Sequence, residues 1–216
     1  MSPFRALILG CPGSGKGTQT KRILKEYPKI KTLASGDMLR DQIYRKTDHG
    51  LKIKEMISNG ELVPDTFIYP MMIDHIHQVK NHHWLLDGFP RTISQAKHLD
   101  QDLNNPITMV LNLDVPWNVI LNRIEERWIH APSGRTYNLS FNPPKQPGVD
   151  DLTGEPLTKR PDDCPISFKV RLEQYEKLTM PLIEYYEKQG ILFNFKGETS
   201  DQITPQIFEQ LEKFHW

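Results

Sequence analysis

A glycine-rich turn near the start of the chain limits its fold more than any other feature. The run Leu7-Ile8-Leu9-Gly10-Cys11-Pro12-Gly13-Ser14-Gly15-Lys16-Gly17-Thr18 leads an apolar strand into a loop and sets a lysine where a helix should begin. Such a loop can turn successive backbone N–H groups inward around a phosphate, and the helix N-terminus adds partial positive charge. Lys16 supplies a mobile ammonium for the β- and γ-phosphates of a nucleotide. Gly13, Ser14, Gly15, Lys16, Gly17 and Thr18 are therefore candidate phosphate ligands. The common pattern has Ser or Thr directly after the lysine. Here Gly17 intervenes before Thr18, which points to a subset of phosphate-loop proteins.

The remaining elements alternate between strand and helix. Leu7 to Leu9 reads as a strand and Thr18 to Glu26 as the helix leaving the loop. His83-Trp84-Leu85-Leu86-Asp87 is an apolar run ending in an acid, and Thr108 to Leu113 is another, followed by a helix to about Arg127. Ile191 to Phe195 reads as a last strand before an amphipathic helix from about Pro205 to Phe214. Apolar strands with intervening helices imply an α/β fold whose parallel sheet is covered on both faces.

Two regions break this rhythm. Ala34 to Val63 is polar, with helical patterns at Asp37 to Tyr44 and Lys52 to Ser58. Trp128 to Asp163 carries Pro132, Pro143, Pro144, Pro147, Pro156 and Pro161, a density that excludes long helices. The alternation in Arg135-Thr136-Tyr137-Asn138-Leu139 predicts a short strand there. Insertions of this length inside a compact enzyme commonly act as lids.

Charge is balanced at 27 basic and 27 acidic residues, so electrostatics gives no case for a nucleic-acid or membrane-surface partner. No apolar run approaches the roughly 20 residues that cross a bilayer. The two cysteines, Cys11 and Cys164, are too few for a disulfide scaffold and fit a reducing compartment. Cys11, within the loop, reads as a space-filler. Met1 to Ala6 leads straight into the first strand, which we read as leaving no room for a cleavable presequence.

Phosphoryl transfer needs positioning, positive charge around the migrating group and exclusion of water. Asp87, at a strand end and followed by Gly88-Phe89-Pro90-Arg91, is the expected magnesium-side carboxylate, acting through metal-bound water because Mg²⁺ dehydrates reluctantly. Arg40, Arg91, Arg123, Arg127, Arg160 and Arg171 lie in or beside the two unusual regions or at strand ends, and guanidinium forks suit phosphate oxygens, but only a family resemblance selects these six from the other arginines.

The loop, Ser35-Gly36-Asp37-Met38-Leu39-Arg40, Asp87-Gly88-Phe89-Pro90-Arg91-Thr92 with Gln95, and the Trp128-to-Asp163 block together resemble adenylate kinases of the long-lid type, in order and at the family spacing. The resemblance implies a three-layer P-loop nucleoside monophosphate kinase fold. Residues 1–33, 64–126 and 162–216 would form the core, 34–63 an AMP-binding lobe and 127–161 a lid. It also implies roles. Gly13 to Thr18, Arg127, Thr136, Tyr137 and backbone near Thr199 would hold the triphosphate donor. Ser35, Arg40, Glu61, Leu62, Val63, Gly88, Phe89, Pro90, Arg91 and Gln95 would form the AMP site, with Arg160 and Arg171. Lys16, Arg91, Arg123, Arg160 and Arg171 would surround the transferring phosphoryl.

A related kinase type for UMP and CMP has a short lid and usually asparagine at the position of Thr92. Thr92, Gln95 and the long lid here imply AMP as acceptor, because a carboxamide offers adenine both a donor and an acceptor. Some bacterial relatives hold zinc with four lid cysteines. His130, Ser133, Asp150 and Thr153 keep that spacing, and since Ser and Thr are poor zinc ligands they are expected to form a hydrogen-bonded cluster without metal. The lid wording resembles most the mitochondrial GTP:AMP phosphotransferase branch. That likeness implies GTP or ITP as donor, Mg²⁺ as the only metal, a monomer and the mitochondrial matrix. ATP and the cytoplasm are the alternatives. A nucleotide sensor that has lost catalysis should lack one of the converging cations, and none is missing. A GTPase-like switch should carry Ser or Thr after Lys16 and an Asn-Lys-x-Asp motif, and neither is present.

Overall fold

The computed structural model describes residues 3–103, 106–160 and 163–214 and, of His49, the backbone only. The elements run β1 (Arg5–Gly10), α1 (Lys16–Glu26), β2 (Ile30–Ala34), α2 (Ser35–Tyr44), α3 (Asp48–Ser58), α4 (Asp65–Gln78), β3 (His83–Asp87), α5 (Ile93–Asp102) and β4 (Met109–Asp114). They continue with α6 (Trp117–Glu125), β5 (Arg127–His130), β6 (Arg135–Asn138), α7 (Pro165–Gln174), a π-helical turn (Tyr175–Thr179), α8 (Pro181–Glu187), β7 (Leu192–Lys196) and α9 (Ser200–Glu212).

Five strands form one parallel sheet in the order β2-β3-β1-β4-β7, with helices on both faces. Alternate residues of a strand point to opposite faces, and β1 is apolar on both. Ala6 and Ile8 pack with Ile23, Ile120, Ile124, Ile203 and Ile207 on one side. Leu7 and Leu9 pack with Met72, Ile76, Leu99 and Tyr186 on the other. Trp84, Leu85 and Leu86 of β3 are each 0% exposed. Burying one such aliphatic side chain is worth about 1.5–3 kcal/mol, so the two apolar layers hold the sheet rigid.

That rigidity positions the loop. β3 and β4 flank β1, so the loop after Gly10 opens at the point where the strand order reverses, the usual ligand crevice of such sheets. The register pairs Asp87 with Ile8 on one side and with Ala34 on the other. The ends of β1, β2 and β3 thus deliver the glycine loop, Ser35 and Asp87 to one rim.

The structure departs from the sequence reading at several points. β2 is not predicted, because an edge strand with Lys31 and Thr32 exposed shows only Ile30 and Leu33 as buried apolar residues. α9 starts at Ser200 rather than near Pro205. Thr199 and Gln202 form a capping box that begins the helix early, and Pro205 is accommodated inside it. α2 and α3 likewise begin ahead of the expected positions, α3 on the N-cap Thr47. Arg22 ties α1 to α9 through Thr204 (2.7 Å) and Asp201 (2.6 Å).

Residues 127–160 build a small second sheet. β5 and β6 form an antiparallel hairpin, and single bridges join Ile129 to Thr158 and Val149 to Pro156. Among the described residues its buried apolar side chains are Ile129, Tyr137 and Leu157. The expected boundary of this segment at Pro161 and Asp162 lies outside the described residues. No helix among the described residues is long and apolar enough to cross a membrane.

Candidate active site

The loop after β1 closes on itself and on α6. Ser14 N–H donates to the Cys11 carbonyl at 3.0 Å, and Gly13 adopts φ +87°, where a side chain would be strained and its Cβ would lie 3.1 Å from Ile120 and Ile124. Lys16 Nζ donates back to the carbonyls of Gly10 (2.8 Å) and Cys11 (3.0 Å). Burial pulls its ammonium down to about 8, against the upward pull of Asp87. Ser14 Oγ is buried without a hydrogen-bond partner among the described residues. Cys11 is buried and its thiol is pushed up to about 12 by desolvation, which leaves it a packing residue.

Asp87 faces this loop. Burial raises its pKa, while Lys16 and then Arg91 favour the charged form. Ser35 Oγ donates to the Asp87 carbonyl at 3.3 Å. Gly88 follows at φ +80°, and a Cβ there would come within 2.6 Å of Ser35 Oγ. Arg91 Nε donates to the Gly88 carbonyl (2.8 Å), and the Arg91 backbone N–H donates to Gln95 Oε1 (2.6 Å). Gln95 Nε2 donates in turn to Asp65 Oδ1 at 2.6 Å. Ser35, Arg40, Glu61, Leu62, Val63, Gly88, Phe89, Arg91, Gln95 and Arg171 line one cleft of about 640 Å³, open mouth included. Arg40 pairs with Asp37 at its edge.

The remaining arginines are each held. Arg123 Nη1 donates to the Ser14 carbonyl (3.1 Å) and Nη2 to the Glu198 carbonyl (2.7 Å), bridging the loop to the segment before α9. Arg127 forms a two-pronged pair with Asp163, one bond at 2.7 Å, and Arg171 Nη1 lies 3.7 Å from the same carboxylate. Arg171 also lies in the field of Lys16, and Arg160 in that of Lys21 on α1. Thr199 Oγ1 accepts from Gln202 N–H, so its hydroxyl caps α9.

Of the expected lid contacts, Thr136 and Tyr137 sit on β6. The Tyr137 hydroxyl is committed within the segment, donating to Asp150 Oδ1 (2.8 Å) and accepting from Asp151 N–H (2.9 Å). His130, Ser133, Asp150 and Thr153 do meet. His130 Nδ1 lies 2.7 Å from Ser133 Oγ, and Thr153 Oγ1 donates to Asp150 Oδ2 at 3.0 Å. Asp150 is 2% exposed and accepts both prongs of Arg135, at 2.7 and 2.6 Å. The Arg135 bonds hold its carboxyl well below the usual carboxylate range. Glu155 completes the cluster on His130 Nε2 at 2.5 Å.

Sequence reasoning missed Asp65, Asp163 and Thr179, whose hydroxyl donates to the Arg91 carbonyl at 2.9 Å. An acid after a proline at a helix start, as at Asp65, reads only as a complement to the helix dipole. No spacing in the sequence couples Asp163 to Arg127 and Arg171.

A parallel sheet with a phosphate loop at its reversal point, a strand-end acid beside it and guanidinium groups around it defines a P-loop α/β kinase fold. The family model described as adenylate kinase matches residues 8–191. The chain is 48% identical over 214 residues to "GTP:AMP phosphotransferase, mitochondrial" of Saccharomyces cerevisiae, covering 96% of this chain and 92% of that protein. It is 46% identical to the Drosophila melanogaster protein of the same name, covering 94% and 93%. "Adenylate kinase 4" of Arabidopsis thaliana is 42% identical, covering 96% and 86%. The chain belongs to the adenylate kinase family.

Proposed function

We propose that this chain transfers the γ-phosphoryl of GTP, or ITP, to AMP, giving GDP and ADP reversibly. One observation carries the reading: the phosphate loop and the Arg91–Gln95 cleft open on the same rim of the sheet, joined by Asp87 and Lys16. Two nucleotides laid head to tail would bring their phosphates together there. The names of the yeast and fly relatives support GTP as donor. ATP is the second reading, favoured by the name of the Arabidopsis relative.

In this mechanism an oxygen of the AMP phosphate attacks the γ-phosphorus in line. It is already anionic, so no side chain need act as a strong base. Lys16 and the loop N–H groups hold the β- and γ-phosphates. Arg40 and Arg91 hold the acceptor phosphate, and Arg123, Arg160 and Arg171 balance the charge spreading over the migrating group. Asp87 fits a Mg²⁺ ion arriving with the donor: it is a hard oxygen ligand, half-buried, and faces the loop. Asp87 would hold that ion, which would supply positive charge to the donor phosphates. Zinc does not fit the 127–160 cluster, because Ser133 and Thr153 are weak ligands and Arg135 already spans Asp150.

Residues 34–63 act as the AMP-binding lobe and 127–161 as the lid, and their closure excludes water, with the protein working as a monomer. The relatives' names support a mitochondrial address, for which we propose the matrix, with the cytoplasm as the alternative. Initial rates with AMP and equal concentrations of GTP, ITP and ATP test the donor. GTP or ITP should outperform ATP, and the reverse order would replace this reading with an ATP-preferring adenylate kinase. Imaging of a C-terminally tagged protein tests the address.

A further inference from the structure

We propose that Asp65 is a positioning residue that fixes the rotation of the Gln95 carboxamide and thereby makes the acceptor cleft select adenine over a 6-oxopurine. The inference rests on the reading of that cleft as the AMP site and goes beyond it, since Gln95 alone does not determine which way its amide faces.

A carboxamide has two N–H donors on one end and two lone pairs on the other. Gln95 is 3% exposed and spends one of each on the protein: Nε2 on Asp65 Oδ1 and Oε1 on the Arg91 backbone N–H, both at 2.6 Å. One N–H and one lone pair remain, in a fixed order. Adenine offers an amino donor at its 6-position beside ring-nitrogen acceptors, whereas a 6-oxopurine puts an acceptor at that position, with an N–H at the neighbouring ring atom. An amide presenting donor and acceptor in one order pairs with adenine. Turned by 180°, the same amide pairs with hypoxanthine.

In this protein the turn is blocked at both ends. It would set Gln95 Oε1 against the Asp65 carboxylate, acceptor to acceptor, and Nε2 against the Arg91 N–H, donor to donor. Each buried mismatch of this kind weighs roughly tenfold or more against the flipped state. Both halves of the lock are braced from separate elements. Asp65 opens α4, Thr92 Oγ1 accepts from the Gln95 N–H at 3.1 Å to cap α5, and Thr179 Oγ1 holds the Arg91 carbonyl at 2.9 Å. Asp65 thus supplies the only charged partner of the amide among the described residues, and its removal leaves the Arg91 N–H to hold the orientation alone.

The test is steady-state kinetics on the full-length enzyme with AMP and IMP as acceptors, for the wild type, Asp65→Asn, Asp65→Ala and Gln95→Leu. Asparagine keeps the size of Asp65 and can rotate to donate, so it tolerates either amide orientation. Asp65→Asn should raise KM for AMP about tenfold and cut the AMP-over-IMP ratio of kcat/KM by about the same factor. kcat at saturating AMP should move less than about threefold, as expected for lost ground-state binding. Asp65→Ala should shift the ratio in the same direction. A purely structural Asp65 would lower the melting temperature and leave the ratio intact, which overturns the proposal. Gln95→Leu separates the two levels. If it abolishes the AMP preference while both Asp65 variants keep it, the positioning role fails alone. If it leaves KM for AMP and the ratio unchanged, the cleft is not the purine site and both readings fall.

Discussion

Trp84, Leu85 and Leu86 sit fully buried in apolar layers, whereas the 127–160 segment buries a carboxylate, Asp150, and hangs its strands from it through Arg135, Tyr137 and Thr153. The sheet is held by a non-directional force spread over many side chains, which gives stability and tolerates no relative motion of its layers. The small segment is too short to enclose much apolar surface, and it obtains shape from directional bonds instead. It meets the core through a few polar links, among them Arg127 to Asp163 and Asn138 Nδ2 to the Arg123 carbonyl at 3.1 Å. In the proposed function this segment is the lid, a part that must keep its internal shape while its attachment to the core changes.

The contrast can be broken in several places. Arg91→Ala and Lys16→Ala should each depress turnover by about 10²–10³-fold with circular dichroism unchanged, since the proposed mechanism has them act on developing charge rather than on the fold. Near-normal activity in Arg91→Ala would remove it from the reacting centre. Trp84→Ala should cost about 3–5 kcal/mol in urea unfolding, the core's characteristic sensitivity. Asp150→Ala should leave the global urea midpoint close to wild type while speeding proteolytic cleavage within 127–160 and raising KM for the donor by up to about a hundredfold. If it lowered the midpoint as far as Trp84→Ala does, the two regions would not be built differently.

Acidity sharpens the same comparison. Asp150 has a depressed folded pKa, so its stabilisation is complete above its unfolded value of about 3.9 and is lost as pH falls below it. Pepsin digestion should therefore open the 127–160 segment before the core. At the alkaline end Lys16 gives up its proton near pH 8 in the free enzyme, so kcat/KM for the donor should decline above that point. A flat profile to pH 9.5, roughly, would remove the charge of Lys16 from donor binding. The smallest effect belongs to Thr199→Ala, which should cost about 1 kcal/mol through the lost cap of α9.

Much of the core was legible before the structure because a strand buried on both faces leaves a nearly continuous apolar run, as β1 and β3 do and as β4 does apart from Asn112. β2 left none, since its position at the sheet edge lets Lys31 and Thr32 face solvent. The glycine loop and the Asp87–Arg91 stretch could be read because their chemistry lies in adjacent residues. Asp65 and Asp163 could not, because their meaning comes from partners far along the chain, Gln95 for one and Arg127 with Arg171 for the other. Tyr137 illustrates the converse. The family resemblance implies a donor contact for it, and the structure adds that its hydroxyl braces Asp150.

The central claim is that a rigid sheet presents one loop to two nucleotides while a polar module shuts over them. A crystal structure with adenosine and guanosine joined through five phosphates tests it most directly. The account predicts the phosphates cradled by residues 10–18, adenine against Gln95 and the 127–160 segment lowered onto the guanosine end. The analogue bound outside the loop, or the two bases in the opposite order, would contradict it.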